Sequence, residues 1–174
     1  MQNVMKKKIR IWLLIVSLAI PLLIGGLSAY LTAEDMKIYD TLDNLVLAPP
    51  GWVFPIVWTI LYLLMGVAAY LVSVSDQSSE VKRKALLFYA AQLVMNFFWS
   101  TLFFTYERYL IALIWLMIMW GLILVCMIRF YRIRHAAGIM MGVLLLWTSF
   151  AAYLNLSCYI LSIMPVPTLV CSFR

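Results

Sequence analysis

The chain has 174 residues, of which 66% are hydrophobic, 15% aromatic and only 11% charged. A soluble domain carries about 25% charged residues, so this composition excludes a soluble enzyme or binding module and implies an integral membrane protein. The net charge of +6 does not point to a nucleic-acid partner, because the basic residues fall in short clusters between apolar runs, as membrane topology demands.

Residues 1–10 carry Lys6, Lys7, Lys8 and Arg10 ahead of an apolar run over about 11–31, long enough to cross a bilayer. The alternative for this segment is a cleaved leader, with its basic start, apolar core and small residues near Ser28-Ala29. Pro21 and the Gly25-Gly26 pair are expected to kink or loosen the span, which a bundle tolerates. Residues 32–48 form the longest polar connection, with Glu34, Asp35, Asp40 and Asp43 against Lys37. A loop of that length is more often functional than a mere link.

The second span, about 51–74, opens with PPGWVFPIVWTILYLLMG. Pro50 favours an extended Pro49 and itself suits a helix start, with Pro55 about a turn later. Phe54, Trp58, Tyr62 and Met65 then share one helical face. The indole N–H of Trp58 and the hydroxyl of Tyr62 need partners in a dry setting, so this face should meet other helices or a ligand.

The third span, about 85–104, follows the hydrophilic SDQSSEVKRK and aligns Gln92, Asn96, Trp99, Ser100 and Phe103 in one stripe. A TYER turn leads to the fourth span, about 109–128. Arg129, Arg132, Arg134 and His135 form a basic turn, and the fifth span runs over about 136–163 before Pro165 and Pro167. Trp147, Ala151 and Asn155 share a face there. Gly138 and Gly142 make a GxxxG, a small-residue signal for close helix approach or dimerisation. Trp12, Trp115 and Trp120 read as lipid-facing, interfacial or packing residues.

One all-α domain follows: an integral membrane bundle of five transmembrane helices over 1–174. Ten Lys/Arg on one side against Lys37, Arg108 and Arg174 on the other predict a cytoplasmic N-terminus and an external C-terminus. Cys126, Cys158 and Cys171 show no metal or disulfide spacing. The spans contain no carboxylate, which argues against an ion-coupled transporter. His135 reads as a solvated loop residue, with a haem axial ligand as the alternative. The sequence shows no conventional catalytic constellation.

Three segments, at 49–66, at 92–104 (QLVMNFFWSTLFF) and at 144–155 (LLLWTSFAAYLN), resemble the TspO/MBR family in order and spacing. The family comprises the tryptophan-rich sensory proteins and the translocator proteins. The resemblance implies a five-helix bundle, often a homodimer, with loop 32–50 as the lid of a ligand pocket. It further implies binding of protoporphyrin-like tetrapyrroles, in stress sensing or tetrapyrrole regulation, with no obligatory cofactor. By the same resemblance the pocket comprises Tyr39, Trp58, Tyr62, Asn96, Trp99, Ser100, Trp147 and Ala151. Phe54 joins it from its place on the Trp58 face. Trp58 and Trp147 match tryptophans proposed in some members for light- and oxygen-dependent porphyrin breakdown, so a degrading enzyme is one alternative and a porphyrin or sterol transporter another.

The lid departs from the family pattern, with Ile38 and Leu47 where tryptophans are expected and Asn44-Leu45 in place of Lys-Pro. The roof thus has less aromatic surface and one cation fewer. Physically, a porphyrin needs flat aromatic faces, a few hydrogen-bonding groups and a wet rim for its carboxylates. Trp58, Trp99 and Trp147 offer faces, Asn96 a donor and acceptor, and Lys37 a charge for a propionate. For Asn96 and Ser100 the competing reading is a hydrogen bond to a neighbouring helix.

Overall fold

The structure, a computed structural model, describes residues 10–33 and 49–163. They form five helices: α1 (Ile11–Leu31), α2 (Val53–Ser73), α3 (Ser79–Ser100), α4 (Tyr109–Ile133) and α5 (His135–Ile163). A π-helical turn, Thr101–Thr105, continues α3. Each helix is long and apolar enough to cross a membrane.

Capping and turn chemistry set the helix ends, and these differ from the limits of the apolar runs. α3 begins at Ser79 rather than near Ala85, because the Ser78 hydroxyl accepts a hydrogen bond from the Val81 N–H at 3.4 Å. Glu80 lies in the first turn, where a negative charge suits the helix dipole, and pairs with Lys84 at 2.6 Å. α4 runs to Ile133 and α5 starts at His135. The expected basic turn is therefore mostly helix, with the extended Arg134 as the joint. Arginine is a good helix former whose stem lies along apolar surface while its head reaches water. In α2 the Gly51–Val53 turn is closed by Val53 N–H on the Pro50 carbonyl at 2.9 Å. Pro55 then falls in the first turn, where no N–H is needed. α1 is unbroken through the buried Pro21.

The buried positions follow a seven-residue repeat. On α4 they are Ala112, Leu116, Met119, Ile123, Cys126 and Phe130. On α5 they include Met141, Leu144, Thr148, Ala151 and Asn155. Alternating steps of four and three are the seam of helices packed knobs-into-holes with a shallow left-handed crossing. Polar residues sit on these seams: Gln92 and Asn96 on α3, Thr148 and Asn155 on α5, each 1% exposed or less.

α4 and α5 pack most extensively, α1 lies along α2, and α1 touches α3 only sparsely. Close approach explains two glycines. A Cβ at Gly66 would stand 2.8 Å from the Leu18 Cα and the Ser17 carbonyl oxygen, so α1 and α2 meet backbone to backbone there. Gly138 lies against the Tyr131 backbone of α4, so this member of the GxxxG is engaged within the chain. Trp115 and Trp120 pin helices together: the Trp115 indole donates to the Met95 carbonyl at 2.8 Å and that of Trp120 to the Ser149 hydroxyl at 2.9 Å. Trp12 is exposed.

Candidate ligand site between the first three helices

α1 supplies the small-residue wall of an interhelical cavity. Gly25, Gly26, Ser28 and Ala29 recur at helical spacing along one stretch, and three of them have no side chain beyond a methyl. α2 places Phe54, Trp58, Thr59 and Tyr62 opposite, and α3 closes the third side with Trp99, Ser100 and, from the π-turn, Phe104. The cavity volume is about 170 Å³.

The aromatic groups are mutually braced. Trp58 stacks on Tyr62, ring centres 5.6 Å apart, and stands 6.3 Å from Trp99. Trp99 stacks in turn on Phe103 at 5.4 Å. The π-turn carries Phe103 and Phe104 inward, and such turns recur where a helix is shaped for a ligand. Such contacts hold planar faces in place, as a stacking site requires.

Polar groups support these walls. The Tyr62 hydroxyl donates to Asn96 Oδ1 at 2.9 Å inside the bundle. Among the described residues the Asn96 Nδ2 meets no acceptor, and both amide atoms of Gln92, one turn deeper, are buried without a partner. The Ser28 hydroxyl donates to the Phe97 carbonyl at 3.3 Å and ties α1 to α3. The Tyr62 ring packs against Gly25, and any Cβ there would overlap it.

Of the residues expected at the pocket, Phe54, Trp58, Tyr62, Trp99 and Ser100 come together on the cavity. Asn96 stands directly behind Tyr62 as its acceptor. Trp147 is in a second layer, edge-on to Phe54 at 6.1 Å, and Ala151 is buried in the α5 seam. Neither lines the cavity wall. Tyr39, Lys37, the substituted positions Ile38, Asn44 and Leu47, and the rest of the proposed lid from 34 to 48 lie outside the described residues. The first span is expected at the pocket together with spans two, three and five, and of these α1, α2 and α3 line the cavity while α5 does not. Small residues at intervals of three and four let α1 approach its neighbours closely, and α1 runs unbroken through Gly25-Gly26, where a loosened helix is expected.

The arrangement offers a slot between apolar and aromatic faces, with one buried hydrogen-bonded pair at its side and, among the described residues, no charged group on its wall. It suits a flat, largely apolar guest.

Residues 17–161, which include all of α2, α3 and α4 and most of α1 and α5, match the TspO/MBR family. The chain is 39% identical over 117 residues to a tryptophan-rich sensory protein of Cereibacter sphaeroides, covering 67% of this chain and 72% of that one. It is 29% identical over 150 residues to the tryptophan-rich protein TspO of Archaeoglobus fulgidus, covering 86% and 96%. It is 28% identical over 140 residues to the Bos taurus translocator protein, covering 78% and 82%. With five membrane-spanning helices and this match across all of them, the chain is a multi-pass membrane protein that belongs to the TspO/MBR family.

Proposed function

We propose that this protein is a receptor-like membrane protein that takes a protoporphyrin-like tetrapyrrole between α1, α2 and α3. The observation that carries the reading is Trp58, braced by Tyr62 and Trp99 on the wall of an apolar cavity. The cavity of about 170 Å³ is smaller than the roughly 300–1,000 Å³ of small-molecule sites. Binding therefore requires α1 to move away from α3, where packing is sparse and Ser28 provides a hydrogen bond to Phe97. The N-terminus is cytoplasmic in this proposal, from the Lys/Arg asymmetry. A homodimer is proposed from the family resemblance.

Titration of the purified protein with protoporphyrin in the dark tests the reading. Saturable quenching of tryptophan fluorescence is expected, weakened in Trp58→Phe; a titration without saturation sinks the proposal. A second reading, light- and oxygen-dependent breakdown of the pigment, is supported by the spacing of Trp58, Tyr62 and Trp99, close enough for radical transfer. Illumination in air should then bleach the bound pigment, and Trp58→Phe should lose bleaching at saturating pigment. Trp147, behind Phe54, should matter less. Transport would instead appear as porphyrin flux across vesicles in proportion to protein.

A further inference from the structure

At the opposite end of α3 from Trp99, two grooves converge on one ridge of α4. The first is a recess of about 450 Å³ between the start of α3 and the end of α4. Lys84, Arg129 and Arg132 line it, over a floor that includes Ala85 and Val125, and among the described residues no carboxylate stands on its wall. The second is an apolar groove of about 650 Å³ between α4 and α5, lined by Ile139, Gly142, Val143 and Leu146 among others. Ile128 and Arg132 belong to both.

We propose that this paired site holds an anionic phospholipid, its phosphate against Arg129, Arg132 and Lys84 and one acyl chain in the α4–α5 groove. Charge complementarity argues for the headgroup. Lys84 is shared with Glu80 at 2.6 Å, but among the described residues neither Arg129 nor Arg132 has a carboxylate within ion-pair distance. The Arg129 guanidinium lies over the Phe88 ring, 4.6 Å from its centre, so it is already positioned. A basic pocket between transmembrane helices at the membrane surface is a recurring lipid phosphate site.

The apolar groove argues for a lipid rather than a soluble phosphate. Ile139 and Leu146 are 63% and 73% exposed, on a face that bilayer surrounds. Gly142 keeps the groove open, since a Cβ there would have only Met127 Sδ near it, at 3.6 Å. Topology alone explains basic residues at this end of the bundle, but Arg134 meets that need while lining neither groove.

The test is native mass spectrometry of the full chain in neutral detergent, titrated with dioleoyl phosphatidylglycerol or dioleoyl phosphatidylcholine. The wild type should retain the anionic lipid at roughly tenfold lower concentration. Arg129→Gln with Arg132→Gln should abolish the preference, and Arg134→Gln should keep it. Should the double variant fail to fold, the exposed single change Arg132→Gln decides. Gly142→Leu, which fills the groove without altering charge, should weaken phosphatidylglycerol binding. Equal retention of the two lipids by the wild type overturns the proposal, as does a preference that survives loss of the arginines or an unchanged affinity in Gly142→Leu. Displacement of the lipid by glycerol 3-phosphate would reassign the recess to a soluble phosphate and overturn it too.

Discussion

The Tyr62 hydroxyl and the Asn96 amide meet at 2.9 Å in a part of the bundle that water does not reach. A hydrogen bond between transmembrane helices contributes about 0.6 kcal/mol on average, and an acceptor left alone costs more. Tyr62→Phe should therefore destabilise the protein by about 1 kcal/mol, read as a lower unfolding midpoint in detergent. Gly25→Ala should be more severe, about 1–3 kcal/mol, because the added methyl would overlap a Tyr62 ring already held by Trp58 and Asn96. Gly26→Ala has open space and should change little; equal effects would refute this account. Gln92→Met keeps the volume and removes two buried polar atoms without protein partners, so its midpoint should rise. At this scale helical spacing put Phe54, Trp58 and Tyr62 on one face of α2 and Asn96 and Trp99 in one stripe of α3, and the structure brings these side chains together. The spacing did not reveal that Gly25 is the counterpart of Tyr62, because that pairing joins positions on two different helices.

At the level of helices, the apolar runs located every span but not every end. The start of α3 is set by Ser78 and Glu80 and the end of α4 by the helix-forming arginines, features that hydrophobicity does not register. The seven-residue seams were also hidden in the apolar pattern. In a membrane the outward face is as apolar as the inward one, so only polar residues such as Asn96, Thr148 and Asn155 mark the interior. In the proposed binding, α1 is the element whose packing sets ligand entry. Gly66→Ala would push it off α2 through a backbone contact and should cost about 1–3 kcal/mol. Ser28→Ala removes the hydrogen bond from α1 to the Phe97 carbonyl, so pigment association in stopped-flow quenching should be faster than in the wild type. A slower or unchanged rate would show that entry does not depend on parting α1 from α3.

For the whole molecule, five crossings place the two termini on opposite sides of the membrane. Reporter fusions should find the N-terminus in the cytoplasm and the C-terminus outside, from the excess of Lys and Arg in the first, third and fifth polar segments. Composition and spacing alone determined that the chain lives in a bilayer, that it crosses five times and that it resembles this family. Those properties follow from the lengths of apolar runs and the order of local motifs, which a linear sequence contains in full. Which side chains share the cavity was decided only by tertiary packing. Trp147 and Ala151 carry the right chemistry and helical phase, yet Phe54 stands between Trp147 and the slot. The glycines of α1 form a wall that no pattern within α2, α3 or α5 implies. A residue's distance from a cavity depends on how whole helices cross, and crossing geometry is fixed by contacts between segments far apart in the chain.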